Sequence, residues 1–158
     1  MTDAWSAITI RIDDLKGRAI ADLLQGHVAS AFESSPESAV HALDIDGLRQ
    51  PDITLWTAWQ DRTLAGCAAL RQLSTSHGEI KSMRTANSHL RQGVATKLLH
   101  HLIAVAKDRG YMRLSLETGN TRDFAAARAL YAQFGFALCP PFGSYVDDGF
   151  SICMTRTV

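Results

Sequence analysis

Between residues 79 and 99 the chain passes from strand to helix through a turn that leaves little freedom. Residues 79–85 alternate as a strand does, and residues 87–93 form a tight polar turn. From Val94 the spacing becomes helical, with unusually small side chains in the first turns. Gly93 and Ala95 leave the backbone amides at the head of that helix uncovered. Such amides have no intrahelical partner and the peptide dipoles converge on them, so the turn suits an anion. Arg91 adds a fork-shaped cationic donor beside it. The expectation is a strand, a phosphate-gripping turn and a helix.

At 158 residues the chain fits one domain over 1–158, long enough to bury about two thirds of its unfolded surface. Its 16 Lys plus Arg balance 16 Asp plus Glu, so no net field draws it to nucleic acid or anionic lipid. No apolar run approaches the roughly 20 residues that span a bilayer. Residues 1–4 lack the basic-then-apolar pattern of a secretion signal, and a soluble cytoplasmic protein is the default. Cys67, Cys139 and Cys153 are odd in number and widely spaced among apolar or small neighbours, as buried free thiols in a reducing compartment would be. His100 and His101 are adjacent and cannot share one helical face; neither H-E-x-x-H nor C-x-x-C spacing occurs, so no metal is expected.

Taken in order, residues 6–13 alternate with Ile8, Ile10 and Ile12 on one side, a strand with one buried face. Asp14 is placed to cap a helix in which Ile20, Leu23, Leu24, His27, Val28 and Ala31 recur at helical spacing. Ser35 and Pro36 mark the start of a second helix reaching Leu48. Residues 53–59 and 64–70 then flank a polar turn as a hairpin, residues 73–78 supply another turn, and strand 79–85 extends the meander. Trp56 and Trp59 fall on opposite strand faces and read as core. Helix 95–109, a rod of about 22 Å, carries an apolar stripe wide enough to cover a sheet, and Gly110 closes it. Residues 111–116 form a central strand, parallel to 79–85 across a right-handed crossover. A polar loop at 117–122, a short helix at 125–134 stopped by Gly135, a strand at 136–139, a surface loop at 144–150 and a last strand at 151–158 complete an antiparallel end to the sheet. His77 and His89 read as turn residues, His100 and His101 as cap or solvent contacts.

Arg91-Gln92-Gly93-Val94-Ala95, taken with Ala129-Leu130-Tyr131-Ala132-Gln133-Phe134-Gly135-Phe136, closely resembles the GNAT superfamily of acyl-CoA-dependent N-acyltransferases, in a small bacterial branch. The likeness covers 55–158 and, less specifically, the N-terminal strand and helices. It implies an α/β fold with flanking helices and a mixed, mainly antiparallel central sheet. In that sheet a parallel strand pair, here 79–85 and 111–116, splays apart to take acetyl-CoA and release coenzyme A. The resemblance places the pantetheine arm against Met83, Arg84 and Thr85, and the diphosphate over Arg91, Gln92, Gly93, Val94, Ala95 and Thr96. Two positions depart from the family pattern. Leu90 stands where Arg or Gln usually opens the phosphate motif, and Phe124 stands seven residues before the helix tyrosine, where many members have Asn.

The resemblance further implies acetyl transfer to a primary amine of a small molecule or peptide, by direct attack in a ternary complex. That reaction needs a neutral amine, a donor for the carbonyl oxygen as it gains charge, and a proton for the departing thiolate. Tyr131 matches the family tyrosine near the CoA sulfur and is the general-acid candidate, against a purely structural aromatic on its helix. Glu79 lies where some branches carry a catalytic glutamate; it takes the amine proton or serves as a structural carboxylate, with Glu117 the second candidate. An amide near Met83 is the candidate oxyanion donor. The acceptor side draws on His41, Asp44 and Asp46 and on Tyr145, Asp147 and Asp148 of the late loop, acids that attract an amine or simply face solvent. The competing class of function is a noncatalytic acyl-CoA sensor. Rossmann dinucleotide binding fits poorly, because Gly93-Val94-Ala95 lacks the full G-x-G-x-x-G pattern. Sheet edges and apolar helix faces make a homodimer an open expectation.

Overall fold

Apolar alternation builds one mixed sheet, seen in a computed structural model that describes residues 8–34 and 45–158, with side chains only as far as residue 26 in the first stretch. Strands β1 (Ile8–Ile12), β2 (Ile53–Gln60), β3 (Thr63–Ser74) and β4 (His77–Thr85) form an antiparallel meander. Strand β5 (Arg113–Gly119) lies parallel to β4, and β7 (Ser151–Thr157) inserts antiparallel between β5 and the short edge strand β6 (Ala137–Cys139). Helices α1 (Arg18–Ser34) and α2 (Ile45–Leu48) precede β2, α3 (Val94–Asp108) joins β4 to β5, and α4 (Ala125–Gln133) joins β5 to β6. The fold is the expected mixed α/β sheet with one parallel pair and flanking helices. Among the described residues no helix is long and apolar enough to cross a membrane.

The two sheet faces bury different partners. On one, Val94, Leu98, Leu99, Leu102, Ile103 and Ala106 of α3 pack on Ala65, Ala68, Leu70, Ile80, Leu114 and Leu116, with Tyr131 and Phe136 in the same cluster. On the other, Ile20 and Leu24 of α1 and Leu48 of α2 cover Leu55, Cys67 and Ala69. Trp56 and Trp59 separate onto these opposite faces as their spacing requires.

Gly66 lets α3 approach the sheet closely. A Cβ there would stand 2.7 Å from the Arg84 carbonyl and 2.9 Å from Val94 Cγ1, at the head of the helix. Gly66→Ala should therefore destabilise the fold by about 1–3 kcal/mol, the range for overpacking, read from the denaturation midpoint.

Several boundaries differ from the sequence reading. Strand β3 runs on to Ser74 and β4 begins at His77, because Arg71, Gln72 and Ser74 pair with Glu79, Gly78 and His77; polar side chains do not end a strand whose backbone still has a partner. Likewise Glu117, Thr118 and Gly119 remain in β5, paired with Cys153, Ile152 and Ser151, and are not loop. Asp14 does not cap α1, which starts at Arg18; it accepts the Lys16 amide at 3.0 Å in a local turn. His77 is a strand residue 2.7 Å from Ser115 Oγ. His101 packs edge-on against Trp56 with ring centroids 5.4 Å apart, and burial lowers its pKa. His89 does sit in a turn, buried between Ser88 Oγ at 2.7 Å and Gln60 Oε1 at 2.8 Å. The helix expected from Ser35 and Pro36, and the inward faces of His27, Val28 and Ala31, lie outside the described residues or side chains.

Candidate active site

The strand pair β4–β5 opens where the sequence reading expects a splay. Pairing runs from His77/Arg113 to Ile80/Leu116 and stops, although β4 continues to Thr85 and β5 to Gly119. The cause is local. Between the pairs Ala69/Lys81 and Cys67/Arg84, β3 has one residue and β4 has two, Ser82 and Met83. That is a β-bulge, which bends the strand that carries it. Ser82 holds φ at 53°, a left-handed conformation that costs a non-glycine residue about 1–2 kcal/mol.

The bulge also decides which backbone groups face the gap. Ala86 donates to the Ala65 carbonyl at 2.8 Å, and alternate residues of an antiparallel pair turn their backbone groups to opposite edges. Arg84, opposite Cys67, therefore bonds towards β3, whereas Thr85 and Met83 on either side of it turn towards the gap. Of the three pantetheine candidates, Met83 and Thr85 offer main-chain groups there. Arg84 offers none, and its side chain shares the opposite face with Cys67, whose thiol feels its charge.

Beside the gap lies the head of α3. Gly93 is its N-cap at φ 82°, with no side-chain capping bond, and Arg91 is left-handed at φ 60°. The Lys97 amide reaches the Gly93 carbonyl at 3.0 Å, so it is the first donor satisfied within the helix. The amides of Val94, Ala95 and Thr96 precede it and have no intrahelical acceptor. Arg91 and Gln92 are exposed, and Gln92 Nε2 is tied back to the Ser88 carbonyl at 3.3 Å. Leu90, in the position of the usual polar residue, is exposed as well.

Tyr131 comes from α4, which is fastened to the end of β5 by Arg128 Nη1 donating to the carbonyls of Gly119 at 2.6 Å and Thr121 at 2.8 Å. Its ring is 7% exposed and packs edge-on against Phe136, and burial pushes the phenol up to about 12. Among the described residues no hydrogen bond engages its hydroxyl. Phe124, in place of the family asparagine, packs edge-on against Phe150 with centroids 5.7 Å apart, at the root of the late loop.

The other mouth of the gap is polar. Glu79 is 2% exposed, and its Oε2 accepts Tyr145 Oη at 2.5 Å and Lys81 Nζ at 3.3 Å; Lys81 also donates to Tyr145 Oη at 2.9 Å. Burial raises the Tyr145 pKa, and contact with Glu79 adds to the rise. Glu117, on β5 across from this cluster, is pushed up to about 7 by burial, with hydrogen bonding from Ser151 and the Lys81 charge acting against the rise. The family resemblance points to Glu79 and the mouth of the next strand to Glu117; a lysine on a strand reads as solvated, so nothing in the sequence marks Lys81. Phe142, 5.9 Å from the His77 ring and 5.1 Å from that of Tyr145, anchors the same loop and had no sequence signal.

The described acids expected on the acceptor side, Asp46, Asp147 and Asp148, face solvent, as the second of the two readings has it. Asp148 is exposed and accepts the amides of Phe150 at 2.9 Å and Ser151 at 2.7 Å and the Ser151 hydroxyl at 2.9 Å, bonds that lower its pKa. Asp147 accepts the Gly149 amide at 3.3 Å, and Asp46 pairs with Arg49 at 3.2 Å on the surface. They shape the loop and α2. His41 and Asp44 lie outside the described residues. Among the described residues, no group of three or more His, Cys, Asp or Glu is placed to hold a metal ion.

Comparison with known proteins places this geometry. The sequence model of the acetyltransferase (GNAT) family matches residues 20–136. The uncharacterized N-acetyltransferase YsnE of Bacillus subtilis (strain 168) is 52% identical over 147 residues, covering 93% of this chain and 97% of that one. The uncharacterized N-acetyltransferase YedL of Escherichia coli (strain K12) is 45% identical over 150 residues, covering 95% and 94%. A GNAT family acetyltransferase from Elizabethkingia anophelis, solved with acetyl-CoA bound, has the same fold at a TM-score of 0.72 and 23% identity, covering 97% of this chain and 99% of that one. By its sequence and by the opened strand pair beside an uncapped helix, the chain belongs to the GNAT family of acetyltransferases.

Proposed function

We propose that the chain transfers an acetyl group from acetyl-CoA to a primary amine of a small molecule or peptide, by direct attack in a ternary complex. The observation that carries this reading is the break in the β4–β5 ladder after Ile80 and Leu116, next to the open amides of α3. The chain's groups fit acetyl-CoA on both counts. Ala95 and Thr96, part-exposed at the head of α3 behind the buried Val94, offer amide donors to a diphosphate, Gly93 supplies the left-handed turn before them, and exposed Arg91 adds charge, with Gln92 bracing the turn. Met83 and Thr85 offer the main-chain donors and acceptors that an extended amide-bearing arm needs.

When bound, acetyl-CoA supplies an acyl group activated as a thioester. The Met83 amide is the donor for a carbonyl oxygen as it gains charge. Tyr131 remains a phenol at any working pH and holds a proton for the departing sulfur. Glu117, whose affinity for a proton lies near neutrality, receives the proton of the attacking amine. Glu79 is the other candidate for that proton. With Tyr145 and Lys81 both on its Oε2, it acts through the negative charge it places near Glu117.

Initial rates of CoA release, measured while both acetyl-CoA and an amine are varied, test the proposal. Intersecting reciprocal plots support a ternary complex, and parallel plots would point to an acyl-enzyme instead. Calorimetric binding of CoA with no transfer across a broad amine panel would favour the noncatalytic sensor.

A further inference from the structure

Two of the three cysteines face each other across the last strand pair. Cys139, half-buried at the end of β6, is the register partner of Cys153, which is buried on β7; both are free thiols. Partners in an antiparallel pair project from the same face, and Cys153 is in turn the partner of Glu117 on β5. The three side chains thus form a row leading from the edge of the sheet to the proposed base. The backbone fixes their spacing. Val158 donates to the Met112 carbonyl at 3.0 Å, so alternate residues of β7 from 158 towards 152 bond to β5, and Cys153 turns its backbone to Cys139. In such a hydrogen-bonded pair the Cα atoms stand about 5.5 Å apart, inside the separation a disulfide spans. The Cβ atoms of directly opposite residues lie about 4.5–5.5 Å apart, hydrogen-bonded pairs at the wider end, and must close by roughly 1–2 Å to reach the usual disulfide value. Strand β6 has only three residues, pairs on one side alone and runs straight into Pro140 and Pro141, so it has little to hold it against that shift.

We propose that Cys139 and Cys153 form a reversibly oxidisable dithiol, a modification site that closes a cross-strand disulfide at the root of the loop 140–150 and retunes the acceptor side of the gap. Hydrogen peroxide is the oxidant class. The half-buried Cys139 sulfur attacks a peroxide oxygen; the S–O bond forms, the O–O bond breaks and water leaves with the thiol proton. The Cys153 sulfur gives up its proton and attacks the Cys139 sulfur; the S–S bond forms, the S–O bond breaks and a second water leaves. Two thiols lose two electrons and peroxide becomes two waters. Burial holds Cys153 at about 11 and raises Cys139 as well, so both are protonated thiols at rest and each sulfur must lose its proton before it attacks, which makes the oxidation slow. The link to the acceptor side is direct. The Phe142 backbone acts on the Cys153 thiol, lowering its pKa against the effect of burial, and the Phe142 ring contacts that of Tyr145, the residue that covers Glu79 and Lys81.

The test is hydrogen peroxide on the intact protein, followed by non-reducing peptide mapping. The expected product has lost two hydrogen atoms, links the peptides carrying Cys139 and Cys153, leaves Cys67 free and reverts with dithiothreitol. Cys139→Ser should abolish the link, and Cys67→Ser should keep it. This mass readout stands whether or not the amine-acetylation reading holds. For the reaction proposed above, oxidation should raise the acceptor KM several-fold and leave the calorimetric CoA affinity unchanged, since Met83, Thr85 and the head of α3 are remote from β6. Sulfinic acid at Cys139 without a link, or a link through Cys67, overturns the dithiol. A formed link that leaves the acceptor KM unaltered overturns its role at the site.

Discussion

Glu117→Gln should lower kcat/KM at pH 8 by about 10²–10⁴-fold, the usual contribution of a positioned base, and should remove the inflection near pH 7 from the rate profile, leaving only the rise due to deprotonation of the acceptor amine. Glu117 must be ionised to accept a proton, and burial holds it at about 7, so the unsubstituted protein should gain activity through that range. Glu79→Gln should keep the rise but move it to lower pH, because the Glu79 charge is one of the causes that hold the Glu117 proton. A profile lost in Glu79→Gln and retained in Glu117→Gln would make Glu79 the base. A second readout is independent of chemistry. Below pH 4.5 Glu117 is protonated in both folded and unfolded chains and contributes nothing. Between there and about 7 the unfolded chain releases the proton while the folded chain keeps it, so folding weakens as pH rises. Above 7 the penalty is complete. Thermal melts of Glu117→Gln should match those of the parent at pH 4 and exceed them at pH 8.

Tyr131→Phe should reduce kcat by a comparable factor, about 10²–10⁴-fold, with CoA affinity and melting temperature nearly unchanged. The ring packs against Phe136 whether or not it carries a hydroxyl, and among the described residues no partner is orphaned by removing that hydroxyl. Full activity in the variant would return Tyr131 to the role of a core aromatic. Calorimetry with CoA and stopped-time assays on the same preparation separate the two outcomes.

What the sequence made legible was local. Gly93, Ala95 and the stripe from Val94 to Ala106 act within one turn and one helix, so the open amides and the face that covers the sheet follow from spacing alone. Tyr131 was found by a motif whose parts lie within a few residues. The splay was inferable only through family likeness; its cause, a serine in a left-handed conformation at position 82, carries no sequence mark, since glycine is what usually signals that geometry. The Tyr145–Glu79 bond joins residues 66 apart, and no periodicity connects a loop tip to a strand. The Lys81–Tyr145 bond, between residues 64 apart, is hidden in the same way. Side-chain polarity misplaces the strand ends at Ser74, His77 and Gly119, where the ladder on the neighbouring strand decides them. The Cys139–Cys153 opposition depends on the register of β6, a three-residue strand too short to show one.

The single surplus residue in β4 has a consequence for how far this protein can be made sturdier. A chain without Ser82 would have a regular β4, free of the left-handed strain and able to continue its ladder with β5 beyond Ile80 and Leu116. Its sheet would be zipped shut, and the Met83 and Thr85 main-chain groups would be spent on a neighbouring strand. Robustness and purpose are opposed at this one point of the backbone: the sheet works where it is left unfinished.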